Sequence, residues 1–285
     1  MSDVPAIDKR QARRAFCRAA PRYDEVAVLQ REIGRRMLER LQLVRLQPQL
    51  ILDLGAGTGL AIDGLMRRYP KARLLALDFA LPMLQRARHR GWWLRRPACV
   101  CADLEQLPIA DATIDLIYSN AALQWSNDLE ATFREFLRVL KPGGLLMFTT
   151  FGPDTLKELR LAWSAVDGYS HVSNFPDMHD VGDALLRARF ADPVVDVDRM
   201  TLTYPDVDGL MRDLKVLGAH NVTRQRPRGL TGRGRLQAMR VAYESYRRGD
   251  LLPASYEVVY GHAWVPERPA EPGVAFVPVP RSGPR

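Results

Sequence analysis

The chain has 285 residues, room for one large domain or a domain with an inserted lid, and its 47% hydrophobic content is ample for a core. Its 41 Lys and Arg against 33 Asp and Glu leave a formal charge of +8, which admits a nucleic acid, an anionic membrane, an acidic protein partner, or a merely solvated surface. Zinc-finger spacing, an RNP-type aromatic motif, an apolar signal core and a membrane-length apolar run are all absent from the sequence, which argues against nucleic acid and membrane. Cys17, Cys99 and Cys101 are an odd count with no disulfide framework, as expected of a reducing cytoplasm.

In chain order, residues 1–10 are expected to fray. Gln11 to Leu46 reads as helical and basic, with a break near Ala20-Pro21. Arg13, Arg14, Arg18 and Arg22 precede Tyr23-Asp24, and the helix beyond carries Leu29, Ile33, Met37 and Leu41 towards a sheet. The first helix can lie across a ligand mouth, which makes Tyr23 either a pocket residue or a helix spacer.

Ile51 to Leu54 is a short apolar strand running into Gly55-Ala56-Gly57-Thr58-Gly59, and Leu60 to Tyr69 has helical length and spacing. A second strand, Leu74 to Leu77, ends in Asp78, twenty-five residues beyond Asp53. Strand, glycine turn, helix, strand and terminal acid make one nucleotide-binding βαβ unit. The glycines permit positive φ and let a ligand lie on bare backbone, and a terminal acid accepts hydrogen bonds from a ribose diol. The turn is a poor dinucleotide fingerprint, because Leu60 or Ile62 stands where its third glycine belongs. A ribose ligand without pyrophosphate, S-adenosylmethionine, suits the turn better, with Asp53 and the backbone facing its amino acid end.

Pro82 marks a helix start, where Met83 suits an adenine contact or core filling. Pro97 to Ala102 is a third strand, on which Cys99 and Cys101 are expected to pack as small apolar residues. Asp103-Leu104 is its exit, placed to accept an adenine amine. Ile114 to Tyr118 is the fourth strand, and Asn120, Gln124 and Trp125 follow its carboxyl end, where open α/β sheets bind ligands. Asp128 to Leu140 is an amphipathic helix stopped by Lys141-Pro142-Gly143-Gly144, and Leu145 to Thr150 is the fifth strand. Beyond it come helices over 155–166, 177–189, 207–217 and 236–248, a loop at 168–175, and strands over 194–204 and 256–265. No metal-ligand set is identified. The reading is an α/β, doubly wound, seven-stranded, mostly parallel Rossmann-like sheet with helical lid additions. It has an N-terminal lid segment (1–46), a cofactor-binding core (47–152), lid helices and closing strands (153–265), and a disordered Pro-rich tail (266–285).

These motifs, in this order, resemble those of the class I S-adenosylmethionine-dependent methyltransferases. Narrower blocks are similar to the malonyl-acyl carrier protein O-methyltransferases of biotin synthesis: Ser119 to Trp125, Thr149 to Leu159, His171 to Asp183, Leu210 to Asn221, Arg228 to Leu236 and Tyr256 to Trp264. The resemblance spans Arg10 to Pro266. It implies methylation of the free carboxylate of a malonyl thioester on acyl carrier protein, with no general base. It implies a cofactor site of Asp53, Gly55, Gly57, Gly59, Asp78, Met83, Asp103, Leu104 and Asn120. Arg212 and Lys215 are the candidates to hold the carboxylate, with Tyr23, Gln124, Trp125, His171 and Phe175 closing the pocket. Acyl carrier proteins are acidic, so the N-terminal arginines with Arg224, Arg226, Arg228, Arg233 and Arg235 are the expected docking patch. Methylation of another small acid or quinone precursor, action on a polypeptide as in complex I assembly factors, and RNA methylation remain the alternatives.

Overall fold

The computed structural model describes residues 6–92, 94–219, 221–223 and 231–267. Seven strands form one sheet: β1 (Leu50–Leu54), β2 (Arg73–Asp78), β3 (Ala98–Cys101), β4 (Ile114–Ser119), β5 (Leu140–Phe151), β6 (Ala191–Tyr204) and β7 (Leu252–Trp264). Their order is β3-β2-β1-β4-β5-β7-β6, with β7 antiparallel to both neighbours and the other pairings parallel. From β1 the chain winds outward to β3 and then returns to the other side through β4. The crevice beyond the carboxyl ends of β1 and β4 is therefore the topological switch point, where such sheets take ligands.

The buried strands β1, β4 and β5 read as apolar runs because both of their faces are covered. One face packs against helix α3 (Val28–Leu41), which buries Leu29, Ile33, Met37 and Leu41. The other face packs against two later amphipathic helices, Leu129–Val139 and Met178–Arg187. Two short elements precede α3, namely α1 (Lys9–Ala19) and α2 (Tyr23–Val26). Asp8 caps α1 by accepting from the Gln11 amide at 3.0 Å, and Ile7 forms an isolated bridge with Thr223. The expected fraying of residues 1–10 is thus corrected from Ile7 onward: a cap and a cross-chain bridge hold what composition alone leaves loose.

Three further expectations change. Cys99 and Cys101 are exposed, because β3 is the outer edge of the sheet. The Lys141 to Gly144 turn is absorbed into β5 through a register shift against β4, with Gly143 at φ +72°. The last strand begins at Leu252 and pairs with β6 over its whole length to Tyr204. The tail expected over 266–285 lies outside the described residues from 268 onward.

Gly261 on β7 lies under Phe148 of β5, where an added Cβ would stand 2.2 Å from the ring. Phe148 is fully buried. Gly261→Ala is therefore expected to destabilise the fold by about 1–3 kcal/mol through overpacking, and urea unfolding should report a lower midpoint at unchanged slope.

Candidate active site

Three cavities lie in sequence at the switch point. The first is walled by Gly55, Gly57, Asp78, Met83, Asp103, Leu104, Asn120 and Trp125, together with Lys9, Phe16, Tyr23 and Phe79. An inner chamber shares Trp125 with it and adds Gln30, Gln124, Phe151, Phe175, Asp213 and Tyr256. An outer chamber of about 710 Å³ shares Leu156, Ser173, Phe175, Leu214 and Ala219 with the inner one and opens beside Arg18, Arg22 and Lys215.

Gly55, Gly57 and Gly59 all have positive φ, at +71°, +54° and +82°. A Cβ on Gly55 would lie 2.3 Å from that of Ala122, whereas a Cβ on Gly57 would meet nothing within 4 Å. The turn is thus closed on its core side and open where backbone faces the first cavity. The Gly55 and Ala56 amides donate to the Leu77 carbonyl at 2.8 and 3.0 Å, which ties the turn to the end of β2. Asp78 accepts from Gly57 N at 2.9 Å and Ala80 N at 2.8 Å. Gly59 touches Ile62 and Ala87 and does not wall the cavity.

Asp53 at the end of β1 is buried, and its Oδ2 has no hydrogen-bond partner. Burial, with the Asp78 charge added, pushes its pKa up to about 7, and burial pushes Asp78 up to about 6. An orphaned carboxylate oxygen beside bare glycine backbone fits a ligand carrying donors and positive charge. Asp53, Gly55, Gly57 and Asn120 also share a smaller recess with Tyr23 and Gln30. Two buried acids held above their ordinary range destabilise the ligand-free fold as pH rises. Between about 4 and about 7 the folded state binds more protons than the unfolded chain, so stability present below pH 4 is lost through pH 6–7. A cationic ligand favours the ionised acids. Its binding at pH 6.5 is therefore expected to release protons, measurable as a buffer-dependent enthalpy, and its affinity should rise with pH across this window. Proton uptake would contradict the placement of that charge.

The remaining wall is built by long-range contacts. Asn120 Nδ2 donates to the Gln30 carbonyl on α3 at 2.9 Å, Thr149 Oγ1 donates to Asn120 Oδ1 at 2.9 Å, and the Ala121 amide donates to Thr149 Oγ1 at 2.8 Å. This clasp holds Ala121 at φ +51°, a conformation that an alanine adopts at some cost. Phe16 of α1 stands edge-on to Trp125 at 5.1 Å and tilted against Phe79 at 5.7 Å, closing the cavity with rings. Asp24 accepts from Thr58 Oγ1 at 2.5 Å and from Arg90 at 2.6 Å, which pins the N-terminal cover on the glycine turn. The Tyr23 hydroxyl is pushed well above its ordinary pKa by burial, Asp78 and Asp24, so it stays a neutral donor.

Asp103 is partly engaged already: its Oδ1 accepts from Lys9 Nζ at 2.6 Å and from the Glu105 amide at 3.0 Å. Gln124 Nε2 donates to the Ala121 carbonyl at 2.6 Å, and its Oε1 is buried without a partner, as is Gln30 Oε1. Phe175 is common to both chambers and stacks edge-on to Phe151 at 5.7 Å. His171 walls the outer chamber, sandwiched flat on Trp163 at 3.8 Å and bonded to Asp167 at 2.9 Å. Lys215 sits on the outer rim, and Arg212 is exposed, outside the walls of all three cavities. Residues that sequence reasoning missed are Lys9, Phe16, Gln30 and Phe79. Only Phe79, directly after the terminal acid of β2, carries a local signal.

The mostly parallel sheet, the glycine turn with its two buried acids and the cavity beside them together define a class I S-adenosylmethionine-dependent methyltransferase. Residues 52–148 match the family described as "Methyltransferase domain". The fold is similar to the solved structure of an S-adenosylmethionine-dependent methyltransferase from Thermotoga maritima, with a TM-score of 0.53 at 16% identity, covering 89% of this chain and 99% of that one. Over nearly its whole length the chain is similar to a malonyl-[acyl-carrier protein] O-methyltransferase of Methylovorus sp., 54% identical across 93% of this chain and 92% of that protein. The corresponding protein of Halorhodospira halophila is 55% identical across 92% and 90%. The chain belongs to the malonyl-[acyl-carrier protein] O-methyltransferase family.

Proposed function

We propose that the protein methylates the free carboxylate of a malonyl thioester carried on acyl carrier protein. The observation that carries this reading is the inner chamber, which joins the cofactor cavity to an open outer chamber and has no Lys or Arg in its walls. S-adenosylmethionine supplies a methyl group on positively charged sulfur, and the carboxylate oxygen forms the new C–O bond while the C–S pair returns to sulfur. A carboxylate with an ordinary pKa is ionised at neutral pH and needs no base. What the chain adds is alignment and exclusion of water. Phe151, Phe175, Leu214 and Tyr256 line the chamber with apolar surface, and Gln30 can donate from Nε2 to the carboxylate without a full counter-charge. A lysine or arginine there would hold the anion more tightly in the ground state than in the transition state, where its charge is vanishing.

Gly55, Gly57, Asp53 and Asn120 are the residues to hold the amino acid end of the cofactor, Asp78 the ribose, and Met83, Leu104, Phe79 and Asp103 the adenine. Arg13 and Arg14 are exposed on α1, and Arg233 and Arg235 begin a later helix, where they can steer an acidic carrier. Arg224, Arg226 and Arg228 lie outside the described residues. Reversing Arg13 and Arg14 to Glu is expected to raise KM for the carrier-bound substrate severalfold at low salt and little at high salt. An unchanged KM and salt dependence would remove them from the encounter.

The test of the reading is direct. Labelled S-adenosylmethionine is incubated with malonyl-carrier protein, small dicarboxylates, tRNA and a polypeptide acceptor in parallel. Label on malonyl-carrier protein is expected; label confined to any of the others would overturn the assignment.

A further inference from the structure

The outer chamber is larger than a malonyl group needs, and its rim carries charge that the chemistry at the cofactor does not use. Arg18 comes from α1 and Lys215 from a late helix, Val207–Val216, so two remote segments of the chain place cations on one rim. Arg22 joins them but is engaged with Glu25 at 3.0 Å. Among the described residues Arg18 and Lys215 have no carboxylate within ion-pair distance. Arg35, Arg40, Arg138, Arg240 and Arg247 are all paired, as is Arg36, bonded to Asp198. Arg18 and Lys215 differ from the other unpaired basic side chains in lining one cavity together.

Below the rim the walls turn apolar at Leu156, Leu159, Val172 and Leu214, then reach the two glutamine amides of the inner chamber. From mouth to cofactor the lining runs cation, apolar, then the Gln30 and Gln124 amides with Asp213, whose carboxylate is hydrogen-bonded to Tyr204. The matching ligand bears an anion at its outer end, a long uncharged middle and an acid at its inner end.

Resting on the carrier-bound malonyl reading, we infer that Arg18 and Lys215 form a phosphate site for the prosthetic arm that links the thioester to its carrier. The arm's phosphodiester sits between the two cations, which fixes how deep the thioester reaches and so where the malonyl carboxylate stops. Arginine and lysine are suited to this, since each donates charge-assisted hydrogen bonds to phosphate oxygens. The placement gives Lys215 a role at the mouth and leaves the reacting carboxylate without a protein cation.

The test uses malonyl thioesters of pantetheine and of phosphopantetheine, which differ in the phosphate alone, beside malonyl-carrier protein. The full chain is expected to prefer the phosphorylated thioester by about tenfold in kcat/KM, the size of one charge-assisted contact. The double variant Arg18→Ala, Lys215→Ala should erase that preference through KM, raise KM for malonyl-carrier protein, and leave malonyl-pantetheine within twofold. The charge-conserving pair Arg18→Lys, Lys215→Arg should restore most of the preference. An equal loss on all three substrates, or no loss on any, would overturn the phosphate site. Failure of the unaltered chain to methylate any malonyl thioester would instead overturn the proposed function.

Discussion

Asp78→Asn is expected to weaken S-adenosylmethionine binding by about 100-fold or more, with only about 1 kcal/mol lost from the ligand-free fold at pH 7. Both carboxylate oxygens of Asp78 accept from backbone amides, Gly57 N at 2.9 Å and Ala80 N at 2.8 Å. An asparagine must turn its NH₂ towards one of these donors, and an unmet buried donor costs about 1–3 kcal/mol. Against that stands the burial penalty that pushes the Asp78 pKa up to about 6, which the neutral amide escapes at pH 7. The two effects partly cancel, so the net stability change is small. For the ligand nothing cancels: the ribose loses a charged acceptor and the donor's positive charge loses a counter-ion. Calorimetric titration with thermal melts at pH 5 and pH 7.5 separates the terms. The stability deficit of Asp78→Asn should be larger at pH 5, where protonated Asp78 bears no charge penalty for the variant to relieve. Binding within threefold of the unaltered protein would exclude Asp78 as the ribose acceptor.

Gln30→Glu is expected to lower kcat/KM for malonyl-carrier protein by about 100-fold while leaving S-adenosylmethionine affinity equal or slightly tighter. Gln30 walls both the inner chamber and the recess beside Asp53, so a charge there faces donor and acceptor alike. Two like charges about 4–5 Å apart at an effective dielectric near 20 repel by about 3–4 kcal/mol, and the incoming carboxylate meets this in full. The donor is cationic and gains from the same change. Opposite signs on the two ligands are what a loss of packing would not produce. A parallel fall in both affinities, with a lowered melting temperature, would assign Gln30 a structural role only.

What could be read from the sequence was local. The glycine turn and Asp78 stand out because strand period, φ requirement and a terminal acid all fall within thirty residues of Leu50. The seven strands were legible for the same reason, in their apolar runs. Contacts between remote segments were not. The clasp from Gln30 through Asn120 to Thr149 joins three segments whose sequences carry no trace of one another. Nor did periodicity show that β3 is an edge, which is why Cys99 and Cys101 look like core residues on paper and are exposed in the fold. The order of Ile7 depends on Thr223, more than 200 residues away. Lys215 reads as a carboxylate ligand when only its neighbourhood in the lid block is known. The fold sets it at an outer rim, separated from the inner chamber by Leu214, Phe175 and Leu156. Ala121 and Leu156 at positive φ were equally silent, since neither is a residue that advertises such a conformation.

Catalysis depends on a nucleophile that reaches the methyl donor already ionised, in a chamber with no Lys or Arg in its walls and with Asp213 taking no proton from it. The most direct test is the rate of a single turnover with saturating S-adenosylmethionine and malonyl-carrier protein from pH 6.5 to 9. The account predicts a rate flat within twofold from pH 7.5 upward. A tenfold rise per pH unit to a plateau above 8 would show a protein base taking a proton, and would contradict it.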